Sequence, residues 1–136
     1  MKNNFKTLLS QPIKTNSGYN NLKPLFSFEN FCSDNCNSYF CEKMITKKKE
    51  FINFFLGMRK FSNLTWKDIK EDKQFHFHEI DTDKNINSKL KIDETIPLVQ
   101  FKLPDDKESR IIGYFDSKNI FNIVVYDYTH QIYKRK

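Results

Sequence analysis

The chain has 136 residues, which is enough for one domain, and Phe, with 14 copies, is its main core-filling residue type. Its formal net charge of +6 at pH 7 favours a polyanion or an acidic protein as its partner. No apolar run has the length of a membrane span, and residues 1–14 lack the apolar core of a signal peptide. We therefore expect a cytoplasmic protein with no membrane partner. The odd number of Cys residues, three, argues against a disulfide framework.

The N-terminal quarter of the chain predicts an arm followed by a hairpin. Residues 1–22 are rich in Asn, Lys, Ser and Thr and predict a poorly ordered arm ahead of a single domain over residues 23–136. The alternation in residues 24–32 predicts a strand, and residues 38–43 predict the returning strand of an N-terminal β-hairpin. Cys32, Cys36 and Cys41 lack the tight spacing and the fourth ligand of a zinc site, so we interpret them as free thiols.

Two helices are predicted to follow. The first, residues 46–62, is capped by Thr46 and places these apolar side chains on one face: Phe51, Phe54, Phe55, Met58 and Phe61. Three cations lie at the positive end of its dipole, Lys47, Lys48 and Lys49, and they predict either a bound anion or solvated lysines. The second helix begins at Thr65, which forms a capping-box pattern with Asp68. Trp66 beside the cap is predicted to be a packing residue.

The rest of the chain predicts strands. Residues 75–80, FHFHEI, alternate as in a strand, which places His76 and His78 on one face. Residues 81–96 are polar and predict a loop. Three apolar runs separated by turn formers then predict an antiparallel meander, with strands at 98–103, 110–115 and 120–127. The last run is apolar on both faces, which is typical of a central or doubly covered strand. The predicted fold class is α+β, with two helices packed on one face of an antiparallel sheet.

The C-terminal residues 99–136 have a characteristic order of features: a strand that ends in a basic residue, a strand that opens with Arg110, an apolar strand, and then His130 and Tyr133. This order resembles the RelE/ParE toxin superfamily of toxin–antitoxin modules. The resemblance implies a toxin that cleaves mRNA, often on the ribosome, and that is neutralised by an acidic antitoxin. Other members of the superfamily poison gyrase.

Cleavage by attack of a 2′-hydroxyl needs a base, an acid and cations for the developing charge. The resemblance gives Arg110, His130 and Tyr133 catalytic roles in a metal-independent endoribonuclease without a cofactor. Five cations are predicted to bind RNA: Lys102, Lys134, Arg135, Lys47 and Lys48. The short turn at DSKN is predicted to set Arg110 opposite about residue 125, within reach of the segment that contains His130.

Other interpretations of the same residues stay open. In one alternative, Arg110 is a partner in a surface ion pair with Asp105, Asp106 or Glu108, His130 ends a strand and Tyr133 covers the edge of the core. His76, His78 and His130 would form a zinc site only if the fold brought them together, and we predict no bound metal. The competing function is a non-catalytic phage or mobile-element module that engages a host protein.

Overall fold

The computed structural model describes residues 20–31, 48–80, 86–90 and 92–127. In this part of the chain the helices are α1 (Lys48–Phe61), α2 (Trp66–Glu71) and α3 (Ile86–Lys89), with a 3-10 helix at Lys73–Phe75. The strands are β1 (Phe26–Ser27), β2 (His78–Glu79), β3 (Val99–Lys102), β4 (Arg110–Phe115) and β5 (Phe121–Asp127). Helices and one sheet are both present, so the predicted α+β class is confirmed. None of the described helices has the length and apolar character needed to cross a membrane.

The five described strands form one sheet in the order β1-β5-β4-β3-β2. Strands β3, β4 and β5 are antiparallel neighbours, which confirms the predicted meander over its described residues. The sheet is mixed, however, because β1 pairs with β5 in parallel, so the predicted antiparallel arrangement holds only from β2 to β5. β5 thus lies between two strands and all seven of its residues are buried, as its apolar faces predicted.

A β-bulge between Ile112 and Gly113 shifts the pairing of β4 with β5. Arg110 lies opposite Asp127, two residues beyond the predicted position, because the turn pairs Phe115 with Phe121 and the bulge then adds one more residue. Gly113 is needed beside the bulge because a Cβ there would overlap the carbonyl oxygen of Asn122 and lie 2.7 Å from the Phe121 ring. The bulge sets which residues meet at the end of the sheet.

Trp66 is the centre of the helix–sheet interface, which confirms its predicted packing role. Its side chain is 1% exposed, and its ring lies 4.8 Å from Phe115 and 5.7 Å from Phe121, measured between centroids. The capping box is also confirmed, because the Asp68 backbone N–H donates to the Thr65 hydroxyl at 3.2 Å and the Thr65 N–H donates to the Asp68 carboxylate at 3.0 Å. The cap therefore fixes the helix that places Trp66 over the sheet.

The predicted apolar face of the first helix is only partly correct. Phe54, Met58 and Phe61 are buried, but Phe51 and Phe55 are exposed. The buried side is rotated toward Gly57, where the missing side chain lets Leu103 of the sheet layer approach the helix. The Phe pattern alone does not show this close approach.

Two further predictions are wrong in detail. In the predicted strand at 75–80 only His78–Glu79 is extended, because His76 has a φ of 49° and ends the 3-10 helix. His76 and His78 therefore do not share one face of a regular strand. The predicted loop 81–96 contains α3, whose Asn87 amide donates to the carbonyls of Asp93 and Ile96, both at 2.8 Å.

The predicted N-terminal features lie largely outside the described residues. The returning strand of the hairpin, residues 38–43, and the three Cys residues are among them, as is Thr46. Within the described part, β1 is only Phe26–Ser27 and its sheet partner is β5. Leu22, at the end of the predicted arm, packs against the core, and its carbonyl accepts the Trp66 backbone N–H at 3.0 Å.

Candidate functional site

Three of the eight predicted site residues are described by the structure: Lys48, Lys102 and Arg110. The other five lie outside the described residues: Lys47, His130, Tyr133, Lys134 and Arg135. Lys102 and Arg110 come together at one end of the sheet. Lys48 is exposed at the start of α1.

Lys102, Arg110 and Asp127 lie side by side on three neighbouring strands, and we call them the strand-end row. Lys102 is the register partner of Arg110, and Arg110 is the register partner of Asp127. Directly paired residues of an antiparallel sheet point to the same face, so the three side chains share one face of the sheet. Arg110 is the middle member of the row, with Lys102 on one side and the Asp127 carboxylate on the other.

The Arg110 guanidinium holds the loop that connects β3 to β4. The residue is 8% exposed, and its Nη1 donates to three main-chain carbonyls of this loop, those of Lys107, Glu108 and Ser109, at 3.3, 3.1 and 2.9 Å. Burial lowers the pKa of Arg110, and the negative charges of Asp127 and Asp106 oppose this effect. Since Arg pKa values lie far above neutrality, the group stays charged.

Lys102 holds the start of the same loop. Its Nζ donates to the carbonyls of Leu103 at 3.1 Å and Asp106 at 2.6 Å. Burial lowers the pKa of Lys102, as does the nearby Arg110 charge, while Asp106 and Asp105 act in the opposite direction. Together, Lys102 and Arg110 fix the conformation of the loop by donating hydrogen bonds to its main-chain carbonyls.

This loop faces α1 across a groove of about 810 Å³. Gly57 and Leu103 line the groove, and four cations and three carboxylates lie around it: Lys49, Arg59, Lys60, Lys107, Glu50, Asp105 and Asp106. Lys60 forms an ion pair with Asp105 across the groove. A second cavity of about 820 Å³ shares this ion pair and is lined by three carboxylates of the α2 region, Asp68, Glu71 and Asp72.

The Tyr126 side chain of β5 forms a hydrogen bond with Glu50 near the start of α1. Its side chain is fully buried, and its hydroxyl donates to a carboxylate oxygen of Glu50 at 3.4 Å. Burial raises the pKa of Tyr126, and the Glu50 charge adds to this effect. The phenol therefore remains protonated at neutral pH, so we assign it a packing and hydrogen-bonding role.

The two histidines of the described region lie outside the strand-end row, and His78 is the register partner of Gln100, two residues along β3 from Lys102. His76 is exposed, while His78 Nδ1 lies 2.9 Å from the Glu79 carbonyl and its Nε2 lies 3.4 Å from the Gln100 amide nitrogen. Over the described ranges, no group of three or more His, Cys, Asp or Glu side chains is placed to bind a metal ion.

Sequence reasoning missed the contact of Glu50 with Tyr126 and that of Lys60 with Asp105, which it had considered only as a partner of Arg110. The partners in these contacts are 45 and 76 residues apart along the chain, so no local pattern connects them. Asp105 has a φ of 60°, a conformation that Asp tolerates better than most residues. An Asp in the turn at residues 104–106 is therefore the local signal from which sequence reasoning could have found this part of the site.

Comparison with known proteins gives no family for the chain. No protein-family model matches it, and no curated protein or solved structure matches it.

Proposed function

We propose that the chain is a RelE-like toxin of a toxin–antitoxin module that cleaves mRNA, acts on the ribosome and is neutralised by an acidic antitoxin. The observation that supports this function is the register of Arg110 with Asp127. His130 follows Asp127 by three residues, a chain length of at most about 11 Å. A cation suited to phosphate is thus paired with Asp127, and a residue suited to proton transfer follows Asp127 by three positions in the sequence.

The proposed roles follow from the chemistry of each group. Arg110 and Lys102 supply positive charge near the scissile phosphate, where negative charge develops in the transition state. His130 serves as acid or base, since an unperturbed imidazole titrates near pH ~6.5. Tyr133 stacks on a base or moves a proton, and the remaining predicted cations, Lys47, Lys48, Lys134 and Arg135, bind the RNA backbone.

The test is expression of the full chain in a bacterium, followed by growth measurements and by mapping of cleavage sites on ribosome-bound mRNA. We expect the wild type to be toxic and nucleolytic, and His130→Ala to lower the cleavage rate on the order of a hundredfold. His76→Ala is the matched control, because His76 is exposed and lies outside the proposed site. Tyr133→Phe separates loss of the hydroxyl from loss of the ring.

Arg110 needs a different design because its side chain also holds the loop. Arg110→Ala and Arg110→Lys are compared with the wild type in thermal unfolding and in cleavage. A folded variant with lost cleavage supports the catalytic role. The proposal fails if the wild type neither stops growth nor cleaves RNA, or if folded His130, Tyr133 and Arg110 variants all keep full activity.

A non-catalytic module of a phage or mobile element that engages a host protein is the second candidate. The observation that favours it is that both described strand-end cations donate to main-chain carbonyls, Lys102 to two and Arg110 to three. Such contacts are typical of residues that shape a loop. Under this function, growth inhibition would persist in His130→Ala and no RNA cleavage would accompany it.

A further inference from the structure

One side of α1 carries four large apolar side chains that are exposed: Phe51 (44%), Ile52 (44%), Phe55 (57%) and Leu56 (51%). We call these four residues the apolar face of α1. At 100° per residue they lie within an arc of about 140° whose centre is opposite Gly57, and Leu56, at the edge of this arc, also lines the groove beside Gly57. The Phe51 and Phe55 rings contact each other, with centroids 4.9 Å apart. Contiguous apolar surface of this kind is typical of a binding site, whereas single exposed apolar residues are common.

Cations bracket the apolar face. The exposed charged residues of α1 are Lys48, Lys49, Arg59 and Lys60. The single carboxylate of the helix, Glu50, is half-buried and accepts the Tyr126 hydroxyl. Lys48 and Arg59 lie in the same arc as the apolar face, one at each end, and a rise of 1.5 Å per residue separates them by about 16 Å. The exposed side of α1 therefore presents an apolar centre between two positive ends.

We propose that the apolar face of α1 binds an amphipathic helix of a separate protein, whose apolar stripe is flanked by carboxylates about three turns apart. Side chains spaced three and four residues apart on α1 form the ridges against which another helix packs. Carboxylates at both ends of the partner would meet Lys48 and Arg59, which fixes the partner's register. This surface binds its partner whether or not the chain cleaves RNA.

The charge pattern argues against a second copy of this chain as the occupant. In a two-fold pairing of two α1 helices, antiparallel packing brings Lys48 of one copy toward Arg59 of the other. Like charges placed opposite each other disfavour that contact.

The chain's own segments outside the described residues lack either the required charge or the required length. Residues 1–19 and 128–136 contain Lys and Arg but neither Asp nor Glu, and in residues 32–47 the two kinds of charge balance. Residues 81–85 carry two Asp and one Lys, but five residues between Ile80 and α3 are too few for a helix of three turns. None of these segments therefore supplies a helix with the excess of carboxylates that would complement the positive ends of the apolar face. A separate acidic helix is the complementary occupant.

The test uses a displayed library of helical peptides of about 18 residues with a fixed apolar stripe, in which the flanking positions encode Glu, Gln or Lys. The library is selected against the purified full-length chain, and enriched peptides are measured in solution. We expect enrichment of Glu at the flanks, and a loss of affinity on the order of tenfold or more in Phe55→Ser and Leu56→Ser. Both positions are more than half exposed, so unfolding curves should match those of the wild type.

Charge reversal tests the register. The double variant Lys48→Glu/Arg59→Glu should shift the selected flanks from Glu to Lys. Lys118→Glu is the matched control, because Lys118 is an exposed cation in the turn between β4 and β5. It should leave the selected sequences unchanged.

Three results would overturn the proposal. One is a selection that enriches no peptide, or enriches Lys as often as Glu at the flanks. Another is affinity that Phe55→Ser leaves unchanged. The third is a wild-type dimer in sedimentation velocity that Phe55→Ser converts to a monomer, which would assign the apolar face to self-association. None of these results bears on mRNA cleavage by the wild type, so failure here is distinct from failure of the proposed function.

Discussion

Gly57 controls how closely α1 approaches the sheet layer, and Gly57→Ala tests that contact. A Cβ at this position would overlap Leu103 Cδ2 and lie 3.2 Å from its Cγ. Leu103 is 1% exposed, so its side chain has little room to move away. Two opposing effects therefore decide the sign of the change in the free energy of unfolding.

Ala in place of Gly in a helix interior stabilises by about 1 kcal/mol. Overpacking a filled core costs about 1–3 kcal/mol. The difference predicts that Gly57→Ala lowers the free energy of unfolding by about 1 kcal/mol. Leu103→Ala removes every atom of the contact, so in that background the same substitution should stabilise by about 1 kcal/mol.

The assay is urea denaturation of the wild type, the two single variants and the double variant, which form a double-mutant cycle. We expect a coupling free energy of about 2 kcal/mol between positions 57 and 103. Gly57→Ala that stabilises the wild type, or that has the same effect in both backgrounds, would refute the reasoning.

Four other substitutions test three separate parts of the fold. Gly113→Ala should cost at least about 3 kcal/mol in chemical denaturation, because its Cβ would overlap the Asn122 carbonyl oxygen of the neighbouring strand; a cost below about 1 kcal/mol would contradict this. Thr65→Ala should cost about 1 kcal/mol through loss of the helix cap. The Thr65 N–H and hydroxyl hold the pKa of Asp68 below 3.8, so this carboxylate stabilises the fold above that pH and loses its effect as the pH falls. Between pH 7 and pH 3 the wild type should therefore lose more stability than Asp68→Asn, and equal losses would count against the cap. Lys60→Met should change stability by less than about 0.5 kcal/mol in thermal unfolding, because both partners of the Lys60–Asp105 ion pair are exposed.

Features set by neighbouring residues were predictable from the sequence. The capping box of Thr65 and Asp68 is confirmed, since its spacing of three residues is itself the geometry of the motif. The three strands of the meander are also confirmed, because apolar runs and turn formers report local structure. The parallel pairing of β1 with β5 was missed, since it joins residues about 95 positions apart and leaves no local pattern.

The candidate site also combines features that neighbouring residues determine with features that depend on distant parts of the chain. Arg110 was correctly placed at the start of a strand, but the bulge at Ile112–Gly113 changed its partner to Asp127. Its hydrogen bonds to three loop carbonyls depend on the path of the loop, which no spacing rule describes. Phe51 and Phe55 were predicted on one face with the residues that are buried, but they are exposed, because a lone helix pattern does not reveal how wide the covered side is.

The short strand β1 has a consequence for how the chain behaves when it is shortened. β1 covers the outer backbone edge of β5, and the carbonyl of Leu25 accepts the Phe121 N–H at 2.9 Å. A chain that begins after residue 31 would leave the N–H and C=O groups of β5 that face β1 unpaired, at the edge of a strand whose seven residues are all buried. Exposed edges of this kind recruit strands from other molecules, so such a fragment should aggregate. The segment that contains β1 thus protects the edge of β5 from pairing with strands of other molecules.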